Sequence, residues 1–304
     1  MTGRGPSRRG LLAAAVLAIT GGGAAGASAV WHLTSGGEST PDARGRGASA
    51  SPTPSPTPDY LAAARVKIAA YVQRVGNGQV ALAVKDRESD IALTVGTTRF
   101  QTASIVKVDI LAALLLRAQL GNQKITDTDR RNAKRMITAS DNDAATALYR
   151  RIGEKSGLTT ANRTFGMKET AVNASWGMTT TTAADQIRLL SSLAYEDGPL
   201  DEDGRAYLFD LMSQVEEDQD WGVPAAADSG TTEVYVKNGW DTISADDGLW
   251  QVNTIGRLVE PGHDWLVAVL SNHHKTQAAG VRKVEAVAKY ALGELRKIPT
   301  AATS

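Results

Sequence analysis

The sequence contains no cysteine among its 304 residues. This absence excludes disulfides, thiol nucleophiles, thiolate metal sites and a lipid anchor on an N-terminal cysteine. An excess of charge of one sign is also lacking, because 33 Lys and Arg residues balance 33 Asp and Glu residues. A basic field for nucleic-acid binding is therefore absent from the composition, and the expected partner is a small molecule or a peptide.

The N-terminal residues have the pattern of an export signal. Arg8 and Arg9 precede an apolar run, and the small residues up to Ala29 suit cleavage by a signal peptidase. We therefore expect residues 1–29 to direct the protein to a secreted or cell-envelope location, by the twin-arginine route or by general secretion. A retained anchor is the alternative, since residues 10–37 carry no charged side chain, and it would be the expected contact with a membrane.

Residues 30–58 are rich in Ser, Thr and Pro and hold little apolar surface, which predicts a linker. The segment that could fold is then 59–298, a single domain by its size, followed by a polar tail at 299–304. We expect the protein to be a monomer.

Hydrophobic spacing predicts an α+β domain. Strands are expected near both ends of the folded segment, where they must meet in one antiparallel sheet flanked by helices, and the middle should form a mostly helical lobe. A first helix should end at Gly76, and Thr182 with Asp185 offers a capping box. The other predicted helices are 104–119, 127–138, 142–152, 183–195, 204–215 and 277–295, and the predicted strands are 79–84, 91–95, 233–236, 249–255 and 265–271.

Ser104 and Lys107 stand three residues apart at the entrance of a strongly apolar helix. On a helix this spacing places both side chains on one face, so the hydroxyl and the amine can share a proton. Burial in such a helix lowers the pKa of a lysine, and a neutral Lys107 could then accept the Ser104 proton. The alternative is a capping serine beside a lysine that reaches solvent.

Two further motifs follow along the chain. Ser140-Asp141-Asn142 lies between two predicted helices, where its side chains either point into a cleft or cap the second helix. Lys237-Asn238-Gly239 ends a predicted strand and joins a cation to a residue that permits close backbone approach, although alone it indicates only a turn. The order of all three motifs is more informative than any one of them.

This ordered set resembles the motifs of the penicillin-binding proteins and the class A β-lactamases. The resemblance extends from about Tyr60 to Leu295. The stretch 100–108 is similar to the family's approach to its nucleophile, and 136–148 is similar to its second-motif segment. The resemblance implies a β-lactamase/DD-peptidase-like fold, with no metal and no organic cofactor.

The resemblance also implies a role for each matching residue. Ser104 would attack the acyl carbonyl, Lys107 would manage its proton, and Ser140 would pass a proton to the leaving nitrogen. The backbone N–H groups of Ser104 and Trp240 would form the oxyanion hole. The substrate-binding residues would be Asn142 for the amide, Lys237 for the carboxylate, and Gly239 with Trp240 beside the nucleophile.

Two departures from the family's pattern bear on mechanism. Asn238 stands where the family has Thr or Ser, so binding of a substrate carboxylate should be weaker or differ in selectivity. Glu169 and Asn173 have the spacing of the pair that activates water in class A β-lactamases, but the loop that carries them is short. Glu169 is thus either the deacylating base or a solvated loop carboxylate.

The sequence therefore predicts an exported serine hydrolase that forms an acyl-enzyme at Ser104 and hydrolyses β-lactams. A penicillin-binding D-alanyl-D-alanine peptidase with slow deacylation and a non-catalytic binder of cell-wall peptide or protein are the alternatives. His273 and His274 lack a carboxylate at ligand spacing and are expected at the surface. The indoles that could line the cleft, or else pack in the core, are Trp176, Trp240 and Trp250.

Overall fold

The computed structural model describes residues 59–76 and 80–299. The predicted export signal, the predicted linker and residues 300–304 of the predicted tail lie outside the described residues. The helices are α1 Tyr60–Gly76, α2 Val106–Leu120, α3 Asp127–Thr138, α4 Asn142–Arg151, α5 Glu154–Thr164, α6 Ala183–Ala194, α7 Glu202–Ser213 and α8 Gln277–Leu295. The strands are β1 Val80–Asp86, β2 Ala92–Val95, β3 Phe100–Gln101, β4 Thr180–Thr181, β5 Glu233–Ile243, β6 Leu249–Glu260 and β7 His263–His274.

The main sheet is antiparallel, with the strand order β2-β1-β7-β6-β5. Its first and last parts in sequence meet directly, because β1 pairs with β7 from Val80 opposite Ser271 to Asp86 opposite Trp265. The expectation that strands from both ends join in one sheet is confirmed. A separate two-stranded sheet joins β3 to β4.

Two apolar layers cover the sheet. On one face α1 and α8 pack over residues such as Leu82, Val267 and Val269, and on the other the helical lobe packs over residues such as Ala83 and Leu270. The alternation of faces along a strand produces this division. Helix α2 lies within the lobe, and its residues from Val106 to Leu116 are all buried, as its unbroken apolar pattern predicted. The α+β prediction is confirmed.

Helix α5 was not predicted from the sequence. Its residues include Gly157 and three threonines, which favour helices weakly, and few apolar positions mark its period. Leu158 is fully buried and belongs to the core around α2, so tertiary packing determines this helix. The hydroxyls of Thr159 and Thr160 donate to the carbonyls four residues earlier, at 2.6 and 3.0 Å.

The strands of the C-terminal hairpin are longer than predicted. Strands β6 and β7 pair from Trp250 opposite His274 to Glu260 opposite His263, with a tight turn at Pro261 and Gly262. The apolar pattern fades at both ends of the hairpin, where the ladder hydrogen bonds continue through polar residues. Sequence patterns therefore located these strands and the start of β6 at Leu249, but not the other strand ends.

Helix α6 begins with half of the predicted capping box. The Thr182 side chain accepts the Asp185 backbone N–H at 3.2 Å. The Asp185 carboxylate instead accepts the backbone N–H groups of Lys168 and Glu169, at 3.0 and 2.7 Å. Asp185 thus fastens the segment that precedes the helix.

Within the described parts of the chain, no helix has the length and apolar character needed to cross a bilayer.

Candidate active site

Ser104 lies in a short 3₁₀ turn, Ala103–Ile105, immediately before α2. Ala103 has a φ of 45°, in the left-handed region that a residue other than glycine seldom adopts. Strand β5 packs closely on this turn, since a methyl group added at Gly239 would stand 2.7 Å from the Ser104 backbone nitrogen. Glycine at this position therefore lets the strand approach the backbone of Ser104.

Ser140 accepts hydrogen bonds from two lysines. Lys107 Nζ and Lys237 Nζ each lie 3.1 Å from Ser140 Oγ. Lys107 also donates to the Ser140 carbonyl at 2.5 Å and to Asn142 Oδ1 at 2.8 Å. We call Lys107, Ser140 and Lys237 the amine cluster. Each of the three motifs contributes one residue to this cluster, and the first motif also places Ser104 in the turn before α2.

Both lysines of the amine cluster are buried, with 0% of Lys107 and 1% of Lys237 exposed. Burial lowers the pKa of Lys107 to about 7, against the charge of Asp141, which acts to raise it. Burial lowers the pKa of Lys237 well below its usual value, and the neighbouring charge of Lys107 lowers it further. Near neutral pH a substantial fraction of the Lys107 amine is therefore neutral and can accept a proton.

The Ser-Asp-Asn motif both caps the helix that follows it and directs polar side chains toward Lys107. Asp141 caps α4 by accepting the Ala144 backbone N–H at 2.7 Å, and it forms an ion pair with Arg135. Ser140, with a φ of 56°, and Asn142 are turned toward Lys107 instead. The cap and the cluster therefore belong to one turn, and the cap fixes the backbone that presents Ser140.

A cavity of about 520 Å³ opens beside Ser104. Its walls include Asn142, Thr146, Trp176, Trp240 and Asp241, and Trp250 is not among the residues that line it. Another cavity, of about 670 Å³, lies between α7 and β5, but neither Ser104 nor Asn142 lines it. The cavity beside Ser104 is therefore the one with groups suited to nucleophilic catalysis.

The sequence model of the β-lactamase enzyme family matches residues 128–295, more than half of the chain. This protein belongs to the β-lactamase enzyme family. The family match supports a serine hydrolase of the β-lactamase type, as the three motifs predicted. No curated protein sequence matches the chain.

Solved structures share the fold of this β-lactamase-family protein. A variant of the class A β-lactamase of the last common ancestor of Gram-negative bacteria is 21% identical, with a TM-score of 0.66, and the match covers 77% of this chain and 98% of that one. The TLA-3 extended-spectrum β-lactamase is 17% identical, with a TM-score of 0.68, covering 78% and 100%. A PBP-A variant, an acyl-enzyme complex with penicillin G, is 21% identical, with a TM-score of 0.68, covering 78% and 98%.

Glu169 is not placed beside Ser104 in this β-lactamase-family structure. Its carboxylate accepts a hydrogen bond from Thr182 at 3.1 Å and lies 4.0 Å from Arg188, and Glu169 does not line the cavity. Asn173 bonds locally, with its side-chain oxygen accepting the Ser175 backbone N–H at 2.9 Å. The structure therefore does not bring the Glu169 and Asn173 pair to the nucleophile.

Asn238 is turned away from the cavity. Its side-chain N–H₂ donates to the carbonyls of Gln219 and Trp221, both at 2.8 Å, and only 1% of the residue is exposed. The amide that replaces the family's hydroxyl therefore holds the 219–221 segment. The aromatic rings of Trp221 and Trp240 meet edge to face, 5.7 Å apart, next to this attachment.

Asn253 is a site residue that the sequence interpretation missed. Fully buried on β6, it donates to the carbonyls of Gln101 and Thr102 at 2.8 and 3.2 Å and accepts the Ser271 backbone N–H at 3.2 Å. It thus ties the segment before the nucleophile to the sheet. Its strand contains other polar residues, such as Gln251 and Thr254, so the sequence held no signal that singles out Asn253.

The prediction that both His273 and His274 lie at the surface is wrong for His274. Only 7% of this residue is exposed, and its Nε2 lies 2.9 Å from Ser271 Oγ. Burial lowers its pKa to about 4. His273 is exposed and its Nε2 lies 2.8 Å from Asp246 Oδ1. The two rings alternate across β7, as neighbouring residues on a strand do.

Proposed function

We propose that this protein is exported and forms a covalent acyl-enzyme at Ser104 with β-lactams or with D-alanyl cell-wall peptides. The observation that carries the proposal is the amine cluster, in which the buried Lys107, three residues after Ser104 at the start of α2, has a pKa lowered to about 7. A neutral amine at this position activates a serine hydroxyl, which is a weak nucleophile at its ordinary pKa. Export rests on the sequence pattern of residues 1–29.

Acylation would proceed by transfer of the Ser104 proton to Lys107 as Oγ attacks the acyl carbonyl. The oxyanion that forms would be stabilised by the backbone N–H groups of Ser104 and Trp240. The C–N bond then breaks, and Ser140 donates its proton to the leaving nitrogen while accepting one from a lysine of the amine cluster. The two 3.1 Å contacts at Ser140 Oγ support this route.

The fate of the acyl group distinguishes a β-lactamase from a penicillin-binding enzyme. Rapid hydrolysis needs a group that activates water at the acyl carbonyl. The contacts of Glu169 with Thr182 and Arg188 favour the penicillin-binding alternative, in which the acyl-enzyme persists. We therefore propose slow deacylation, with β-lactam hydrolysis as the competing activity.

The test is intact-protein mass spectrometry after mixing the protein with a penicillin and, separately, with a cephalosporin, while absorbance follows loss of the β-lactam. A lasting adduct with the mass of the intact penicillin is expected, and the Ser104→Ala variant should form none. Ser213→Ala is a matched control, since Ser213 is an exposed residue at the end of α7.

Absence of any adduct, together with no loss of β-lactam, would contradict an acyl-transfer activity on this class of substrate. Fast β-lactam loss without an accumulated adduct would instead assign β-lactamase activity and contradict slow deacylation. Labelling of the Ser104→Ala variant would refute the nucleophile assignment.

A further inference from the structure

The indole of Trp176 covers the amine of Lys107. Lys107 Nζ lies 5.0 Å from the centre of the Trp176 ring, within the range of a cation–π contact. The indole N–H donates to Thr146 Oγ1 at 3.2 Å, across the cavity wall formed by α4. Ser104 and Trp176 line the same cavity. The indole thus stands over the Lys107 side of the nucleophile.

The segment that carries Trp176 is fastened on both sides of the indole. Tyr149 donates its hydroxyl to the Asn173 carbonyl at 2.7 Å. After the indole, the Thr179 backbone N–H donates to the Trp176 carbonyl at 3.1 Å, and Ala171 pairs with Thr180 in an isolated β-bridge. Because the ring is held by its own N–H and by this backbone, its position over Lys107 is fixed by the fold.

Hydrolysis of an acyl-serine requires water at the acyl carbonyl and a group that accepts a proton from it. The water oxygen forms the new C–O bond and loses a proton, the bond from the carbonyl carbon to Ser104 Oγ breaks, and Oγ takes up a proton. Across residues 59–76 and 80–299, Lys107 forms no ion pair with a carboxylate. Its amine, with a pKa lowered to about 7, can accept a proton, and Trp176 covers it.

We propose that Trp176 excludes water from the Lys107 side of acyl-Ser104 and so prolongs the lifetime of the acyl-enzyme. The inference rests on the proposed function, because it concerns the acyl group attached to Ser104. Under this inference, hydrolysis of the acyl-enzyme is slow because an apolar ring excludes water, as well as because Glu169 lies elsewhere. Trp176 acts here as a positioning residue that controls access, since it exchanges no proton with the substrate.

The decisive measurement is the decay of the penicillin adduct in the Trp176→Ala variant, followed by intact mass after excess penicillin is removed. We expect the decay rate to rise by about tenfold or more, because water gains access to the acyl carbonyl, while the acylation rate changes by less than about threefold. Trp176→Phe, which keeps an apolar ring but loses the N–H bond to Thr146, should decay faster than the native protein and more slowly than Trp176→Ala.

Trp250→Ala is the matched control. It removes the same side chain from β6, at a position that does not line the cavity, and its adduct should persist as in the native protein. A thermal unfolding curve for each variant establishes that the domain is folded. If Trp176→Ala does not fold, Thr146→Val removes the acceptor of the indole N–H and should shorten the lifetime in the same direction.

An unchanged adduct lifetime in a folded Trp176→Ala variant, or in Thr146→Val where that variant replaces it, would overturn the inference. Equal acceleration in Trp176→Phe and Trp176→Ala would also overturn it, since the ring would then exclude nothing. Neither outcome touches the proposed function, which is tested on the native protein and on Ser104→Ala.

Discussion

The site around Ser104 has two walls, which are held in different ways. The amine cluster is built from buried side chains that bond to one another across three elements. The second wall belongs to the 165–182 loop, which is fastened through its backbone to Asp185 and Tyr149. The first wall supplies proton acceptors and donors, whereas the second supplies an indole.

This difference indicates which half of an acyl-transfer reaction the site favours. Buried amines with altered pKa values act on proton transfer during acylation. Backbone attachment fixes the shape of the loop but presents no titrating group to the acyl carbonyl, and Glu169 is directed to Thr182. A site of this kind should acylate efficiently and release its acyl group slowly.

The largest effect should come from removing the proton acceptor of the first wall. Lys107→Ala should slow acylation by penicillin by about 10²–10⁴-fold, since the Ser104 hydroxyl loses its base. The rate of adduct formation measures this. Lys134→Ala makes the same change at an exposed position of α3 and should acylate like the native protein. Native rates in Lys107→Ala would exclude Lys107 as the base.

The same amine predicts the pH dependence of acylation. Burial lowers the pKa of Lys107 to about 7, and only the neutral amine accepts a proton. Acylation should therefore be slow below pH 6, rise through about pH 7 and level off above about pH 8. A rate profile with a flat response across this range would contradict the assignment.

A smaller effect should follow from loosening the segment that joins the walls. Asn253→Ala removes the bonds to the Gln101 and Thr102 carbonyls, so the Ser104 backbone N–H should lose its alignment for the oxyanion hole. Acylation should slow by about 10–100-fold, with the pH profile unchanged. Asn272→Ala, on β7, is the control amide. A shifted pH profile in Asn253→Ala would place Asn253 in the amine cluster's function instead.

The smallest effect should come from the carboxylate of the second wall. Glu169→Gln keeps a group that can bond Thr182 and removes the negative charge near Arg188. The adduct lifetime should change by less than about twofold, because Glu169 does not line the cavity. A lifetime that rises by orders of magnitude would identify Glu169 as the deacylating base. The second wall would then also supply a titrating group to the acyl carbonyl.

Much of the fold followed from sequence patterns with strong periodicity. Helices α3 and α8 have the predicted bounds, and the continuous apolar run of α2 predicted its burial. Helix α5 did not follow, because its threonines and Gly157 carry little intrinsic helix preference and its stability comes from Leu158 in the core. Local preference is a weak guide where packing supplies the free energy.

Some residues of the candidate site were likewise predicted from the sequence, and others were not. The ordered motifs and their resemblance to the family predicted that Ser104, Lys107, Ser140 and Lys237 belong to one reaction centre. The fold brings Lys107 and Lys237 to Ser140, and Ser104 lies in the turn just before the helix that carries Lys107. Sequence patterns could not show whether Glu169 or Trp176 is the loop residue beside Lys107, since the two are seven positions apart in one short loop. Asn253 was also missed, because its partners are backbone carbonyls about 150 residues away in sequence.

The sequence by itself determined the chemistry available to this protein: a serine, two lysines and a second serine in a fixed order, without cysteine. These identities depend only on residue type and spacing. Tertiary structure alone decided the pKa of Lys107, the direction of Asn238 and the choice of Trp176 as the neighbour of the amine. Burial and contact between distant segments set these properties, and both arise only when the chain is folded.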